Sequence, residues 1–380
     1  MSDLTGYRRP DGRFGVRNHV LVLPARSAAN TAAEQLARGV DGAVAVGHEW
    51  VGHAADPDAA LVTRTLAGFA ANPNVFATLL VAVSAADVAL ADAIRSRGGR
   101  VEIITMAEHR GTTGTVAAGA APLAALVAEA ATVAREPMPV SALVVGLECG
   151  GSDALSGITA NPALGLASDR LIAAGASTML SEIPELVGAE ELLAARAVTP
   201  EVGDRIRDVI HAFERSVEAL GVDIRGAQPT PGNIEGGLTT IEEKSLGAAK
   251  KAGGAPVTGV LEFAQAPVVP GLYIMDTPGH DIEQMVGLVA GGCTVVAFTT
   301  GRGTPTGSPI APCLKISTNS EIFARLEGDI DLDAGRVLDG SRTLTQVGDE
   351  IHDALLAAAG GEPTCSETRG NREFAIRRAA

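Results

Sequence analysis

Residues 142–161 read ALVVGLECGGSDALSGITAN. The small apolar run at 142–147 predicts a buried strand, and the polar, glycine-rich run from Glu148 onward predicts the loop at its C-terminal end. In an open α/β sheet that end is where ligands bind. A thiol, a hydroxyl, a carboxylate and an amide crowd this loop: Cys149, Ser152, Asp153 and Asn161. Two comparable stretches follow, GNIEGGLTTIEEKSLG at 232–247 and FTTGRGTPTGSP at 298–309. Polar, glycine-rich loops of this kind in an apolar chain predict one composite small-molecule site.

Strand–loop–helix units recur on both sides of this stretch. Upstream, an apolar run at 20–23 is closed by Pro24, and Asn30 is placed to cap a helix over 31–38. A strand at 43–46 ends at Gly47-His48, a helix over 58–71 stops at Asn72-Pro73-Asn74, and a strand at 77–83 precedes a helix over 86–97. A strand at 101–105 and an alanine-rich helix over 118–135 complete this half, and EPMP at 136–139 is the candidate boundary. The pattern restarts with strands at 142–147 and 176–180, helices over 163–175, 188–197 and 201–219, an irregular stretch at 223–231, and strands near 257–261, 271–275 and 294–299. The expected fold is α/β: two Rossmann-like domains with mostly parallel sheets, at 1–137 and 140–380, the second carrying the main site loops.

The net charge of −15 argues against nucleic acid as a partner, yet leaves room for a local basic pocket that takes a small anion. The four cysteines form neither a CxxC pair nor a dense framework, which fits a reducing compartment. The N-terminal MSDLTGYRRPDGRFGVRN lacks an apolar secretory segment, and no apolar run reads as long and charge-free enough to span a bilayer. The expectation is a cytoplasmic protein without a membrane partner. A GxGxxG after the first strand and a Walker motif are both absent, so no nucleotide cofactor is expected.

The long motifs carry a resemblance. GYRRPDGRFGVRN (6–18), NPNV (72–75), CGGSDALSGITANPALG (149–165), SEIPELVGAEELLAAR (181–196), PGNIEGGLTTIEEKSLG (231–247), FTTGRGTPTGSP (298–309) and NREFAI (371–376) resemble the altronate/galactarate dehydratase family nearly end to end. The resemblance implies dehydration of a sugar acid with a divalent metal, iron or manganese first and magnesium as an option. A related branch, the large subunit of 3-sulfolactate sulfo-lyase, eliminates sulfite instead. The family's small N-terminal module is not found here, which implies a separate small subunit as partner, and a homo-oligomer is expected. The chain also departs from the family's pattern, which has cysteines in the first three strand loops. Ala28, His48-Glu49-Trp50-Val51-Gly52 and Ser84-Ala85-Ala86 stand there instead.

Removing water from a 2,3-dihydroxy acid requires abstraction of a weakly acidic proton beside a carboxylate and stabilisation of the enediolate that results. Lys244, Cys149, Glu182 and His48 are the candidate proton carriers, with Lys244 or a nearby carboxylate as base. Cys149, Asp153 and Glu182 are the candidate metal ligands, although no HxxxH or CxxC spacing defines a geometry. Arg302, whose fork suits a carboxylate, joins Ser152, Asp153, Asn161, Asn233, Gly236, Gly237, Thr300 and Gly301 as candidate substrate-binding residues, the glycines offering backbone N–H groups to an anion. Structural alternatives stand beside each reading. Cys149 suits a small buried position, Lys244 a solvated helix, Arg302 a surface ion pair, and His48 and Glu182 capping roles. His53, His109, His211 and His352 read as ordinary surface or packing residues, and His280 lies in the turn DTPGHD. A non-catalytic sugar-acid-binding relative is the alternative to an enzyme.

Overall fold

A computed structural model describes residues 4–52 and 56–377; His53 lies outside them. A four-stranded sheet in the order Ala43–Ala45, His19–Pro24, Val75–Ala82, Val101–Thr105 is parallel throughout. A seven-stranded sheet, also parallel throughout, runs Val257–Leu261, Leu272–Met275, Ser177–Leu180, Val144–Gly150, Val295–Thr300, Cys313–Ser317, Leu332–Asp333. Their central strands, His19–Pro24 and Val75–Ala82 in one sheet and Val295–Thr300 in the other, are apolar runs buried almost throughout, as central parallel strands require. The α/β reading with mostly parallel sheets holds.

The strand order places the site. From Val144–Gly150 the chain passes to Ser177–Leu180 on one side, and later returns to Val295–Thr300 on the other. Helix Ala160–Ala173 makes the first crossover, and helix Asp281–Ala290 precedes the return. The point where strand order reverses therefore lies at the C-terminal end of Val144–Gly150, the usual position of a ligand crevice.

The two sheets are joined through helices. Ala59–Ala70 packs on Asp281–Ala290 so closely that a Cβ on Gly68 would fall 2.3 Å from the Ala290 carbonyl oxygen. The NPNV turn is the clamp between them. Asn72 Nδ2 donates to the Val289 and Cys293 carbonyls at 2.7 and 2.9 Å, and Asn74 Nδ2 to those of Thr294 and Ile310 at 2.9 and 3.0 Å. The terminal motifs are also structural. Thr5–Arg8 pairs antiparallel with Phe14–Gly15 and with Glu136–Pro137. Near the other end Phe374 stands edge-on to Phe69, with centroids 4.9 Å apart, and Glu373 accepts the Gly307 N–H at 2.8 Å.

Two local expectations are corrected. Asn30 does not cap its helix, Asn30–Gly39; its side chain turns to the next strand loop and bonds the His48 carbonyl and N–H at 2.8 and 3.3 Å. The alanine-rich helix Thr112–Thr132 is long and apolar enough to cross a membrane, which the reading of apolar runs passed over. Its Gly119, Leu123 and Leu126 are buried, with Leu123 and Leu126 packed in the apolar core under the four-stranded sheet.

Candidate active site

Cys149 belongs to the strand rather than to the loop after it. Pairing continues through Cys149 opposite Thr299 and Gly150 opposite Thr300. Side chains alternate along a strand, so Cys149 points to one face of the sheet and Glu148 to the other. The Cys149 Sγ lies 2.7 Å from Lys251 Nζ, 3.2 Å from Glu182 Oε2, 3.4 Å from Glu185 Oε2 and 3.4 Å from Ser152 Oγ. Its backbone N–H donates to Glu182 Oε1.

Glu182 follows the neighbouring strand, Ser177–Leu180, in a left-handed conformation with φ 75° and ψ 54°. For a residue with a Cβ this costs on the order of 1–3 kcal/mol and persists only where the surroundings enforce it. Here Thr277 Oγ1 accepts the Glu182 N–H at 2.6 Å. A 3₁₀ turn, Ile183–Glu185, opened by Pro184, then brings Glu185 back to the same side.

Two lysines complete the cluster. Lys244 lies in helix Ile241–Ala249, capped by Thr240, and Lys251 in the turn that continues it, Lys250–Ala252. They stand about two helical turns apart, which puts both on one face. Lys244 Nζ donates to Gln228 Oε1 at 2.9 Å and Asn233 Oδ1 at 3.0 Å, and pairs with Glu185 Oε1 at 2.8 Å. Lys251, with none of its side chain exposed, pairs with Glu182. Burial opposes charge on both lysines, but Glu185 outweighs it at Lys244, while Cys149 and Glu182 outweigh it at Lys251; both pKa values are raised. Burial likewise opposes charge on Glu185, and Lys244 with Lys251 holds its carboxyl below the usual range. For Glu182 burial wins, and its carboxyl is pushed up to about 7 against the pull of Lys251. Burial and Glu182 push the Cys149 thiol well up. On the opposite face Glu148 is fully buried, and neither oxygen has a hydrogen-bond partner among the described residues. Burial, with Asp281 and Glu182 nearby, raises its carboxyl well above the carboxylate range.

The three glycine-rich loops meet beside this cluster. Gly301 donates to the Gly151 carbonyl at 3.2 Å, and Ala154 to that of Gly236 at 3.0 Å. A Cβ on Gly301 would fall 2.3 Å from Asp153 Cγ. These glycines serve close backbone approach rather than an anion nest. The N–H groups of Gly236, Gly237, Gly301 and Gly303 are all taken, by Gly232, Ile234 and Gly151 carbonyls and by Thr300 Oγ1. Ser152 and Lys244 line a cavity of about 200 Å³ together with Asp153, Asn161 and Leu246.

The other expected residues divide by their partners. The Asp153 carboxylate accepts from Ser156 Oγ at 2.9 Å, Thr318 Oγ1 at 2.8 Å and Asn319 Nδ2 at 3.3 Å, away from Cys149. Asn161 ties Thr299 Oγ1 to the Gly247 carbonyl, and Asn233 ties Lys244 to the Ser152 carbonyl. Thr300 closes the turn at Gly303 and Thr304. Arg302 is half-exposed and 3.8 Å from Glu235. His48 stands in the other sheet's loops. Its Nε2–H donates to the Pro24 carbonyl at 2.8 Å and its Nδ1 accepts the Trp50 N–H at 3.2 Å, so both ring nitrogens are engaged. Burial lowers its pKa. The sequence reading did not select Lys251 or Glu185. Glu185 had a signal in its spacing from Glu182 in SEIPE; Lys251, in a Lys-Lys pair, had none.

Cys149, Glu182 and Glu185 each offer a donor atom, all within 4.8 Å of one another. One sulfur and two oxygens suit a transition-metal ion by type, and three protein ligands leave a position open, as catalytic sites do. This buried group can hold a metal. Its donors already face ammonium groups, however, so an ion there must contend with Lys251.

Comparison with known proteins shows the family. The family "D-galactarate/Altronate dehydratase, C-terminal" matches residues 140–380, and "D-galactarate dehydratase/Altronate hydrolase, second domain" matches 6–131. A (2R)-sulfolactate sulfo-lyase subunit beta from Chromohalobacter salexigens is 38% identical over 98% of this chain and 96% of its own length. Altronate dehydratases from Escherichia coli and Bacillus subtilis are 37% and 34% identical, over 97% and 98% of this chain and 76% of each relative. The chain belongs to the D-galactarate/altronate dehydratase family and is a lyase of that type.

Proposed function

We propose that the chain removes the C2 proton and a C3 hydroxyl from a small 2,3-dihydroxy acid such as a sugar acid. The observation that carries this reading is the junction of the cavity with the buried cluster. Lys244 and Ser152 line the cavity and at the same time touch Glu185 and Cys149. A path from Ser152 through Cys149 to Glu182 takes the proton inward, and the Lys244 ammonium offers one to the departing hydroxyl. Lys244 is charged, so the base is the carboxylate Glu182, poised near neutral pH as such a group should be. Arg302, beside the Gly301 loop, is the group we assign to the substrate carboxylate. A divalent ion, iron or manganese as the family resemblance implies, could instead be held by Cys149, Glu182 and Glu185; it would supply Lewis-acid stabilisation of the enediolate, with Glu182 then a ligand rather than the base.

The rate follows the proton on Glu182. A base must be unprotonated, so with Lys251 rather than a metal beside Glu182, kcat/KM should rise with pH through about 7 and level off above it. A Glu182→Gln variant should lose that limb of the profile along with most of its rate. Arg302→Lys keeps a charge but not the fork. Because Arg302 is half-exposed and its ion pair with Glu235 is long, KM should rise while Tm stays within about a degree, since surface changes are usually within ~0.5 kcal/mol.

A second reading is favoured by the match over nearly all of the sulfo-lyase subunit: the same C2 proton leaves, and sulfite departs from C3. That relative is named as one subunit of a complex, and we propose that this chain likewise works with a separate small subunit in the cytoplasm. The test is a panel of 2,3-dihydroxy acids and 3-sulfolactate, with and without the small subunit, assayed for 2-keto acid and for sulfite. A 2-keto acid from dihydroxy acids without sulfite supports the first reading. Sulfite release alone supports the second, and neither product from the complete complex refutes both.

A further inference from the structure

We infer that Lys251 is the built-in counter-ion of the Cys149–Glu182–Glu185 donor set, and that its ammonium and a divalent metal are alternative occupants of the same place. This rests on the reading of that group as the lyase's metal site, and concerns what a metal must displace to enter it. The atoms that would face an ion are Cys149 Sγ and the carboxylate oxygens of Glu182 and Glu185. Lys251 Nζ lies 2.7 Å from that sulfur and pairs with Glu182, and Lys244 Nζ holds Glu185 at 2.8 Å. Two carboxylates and two ammonium groups already balance in a region where Lys251 and Glu182 have no exposed side-chain surface. Adding a dication beside both would leave net positive charge buried, where charge is costly unless paired. The backbone around Lys251 cannot make room. A Cβ on Gly165 would fall 2.2 Å from the Lys250 carbonyl oxygen, so the turn is wedged against helix Ala160–Ala173. Only the Lys251 side chain can leave. Metal loading is then an exchange of one cation for another, and in the metal-free chain each carboxylate of the donor set already has an ammonium partner.

The experiment is a Co(II) titration of the full chain, read from the thiolate-to-cobalt charge-transfer absorption that Cys149 ligation produces, with Mn(II) binding measured in parallel by paramagnetic resonance. Lys251→Met removes the competing cation and should bind both ions more tightly, by on the order of tenfold or more, the scale on which groups around a site tune metal affinity. The cobalt–thiolate band should appear in Lys251→Met at concentrations where the unmodified chain shows none, and vanish in Lys251→Met/Cys149→Ser. Equal or tighter binding by the unmodified chain overturns the inference, as does absence of the band from both proteins. Should Lys251→Met fold only when Co(II) or Mn(II) is present, that also supports the exchange. A full-strength band from the unmodified chain at stoichiometric Co(II) overturns it whatever the variant does. None of these readouts uses turnover, so the lyase reading stands or falls separately on the product assay.

Discussion

Replacing Lys244 by methionine lowers kcat by about 10²–10⁴-fold, the usual contribution of a positioned acid or base. Lys244 is the one charged group of the cluster that also lines the cavity. The same change lowers stability, because it leaves Glu185 buried without its partner, with only a tenth of its side chain exposed. Losing one member of such a pair costs about 3–5 kcal/mol. The two effects separate in a double variant. Lys244→Met/Glu185→Gln removes both charges and should recover most of the Tm, but none of the rate. Recovery of the rate together with the Tm would show that Lys244 acts only by holding the fold.

Asn74→Ala produces the largest loss of stability away from the site. The side chain is fully buried and joins three separate segments. Its Nδ2 donates to the Thr294 and Ile310 carbonyls, and its Oδ1 accepts the N–H groups of Val16 at 2.8 Å and Arg17 at 3.3 Å. Truncation leaves several backbone groups unpaired in the interior, each at about 1–3 kcal/mol. A loss on the order of 4 kcal/mol is expected, measured as a shift of the denaturation midpoint. Asn74 touches none of the cluster residues, so kcat/KM of the folded fraction should be unchanged. A kinetic defect without a stability defect would contradict the clamp.

The sequence was legible where apolar runs are continuous. The strands at 101–105 and 257–261 were read with the bounds the structure has, and the loop that follows Gly150 does meet its neighbours from 232–247 and 298–309. Reading failed where polar side chains sit inside strands. Glu148 and Cys149 looked like loop because charge and thiol interrupt the run, although both continue the sheet. Cys313–Ser317 was passed over for the same reason: Lys315 breaks the pattern, yet its ammonium is buried over the Phe298 ring, 3.7 Å from the centroid, and donates to the Thr304 carbonyl. Long-range pairing hid Lys251, since nothing near it in sequence announces Glu182 or Cys149. His48 shows the converse. Its place after a strand was read correctly, but a strand end supplies backbone groups that occupy both ring nitrogens.

On this reading the buried Cys149–Glu182 pair takes the C2 proton, while the cavity-lining Lys244 protonates the departing C3 hydroxyl. The most direct test is turnover of 2,3-dihydroxy acids in D₂O by the complete complex, followed by nuclear magnetic resonance. Loss of the C2 proton and departure of the C3 hydroxyl give an enol that takes one solvent deuteron at C3 as it becomes the 2-keto acid. The unmodified chain should give that singly deuterated product, and Lys244→Met/Glu185→Gln or Glu182→Gln none above background. Retention of the C2 proton in every acid, or deuterated product formed at undiminished rate by those variants, would contradict it.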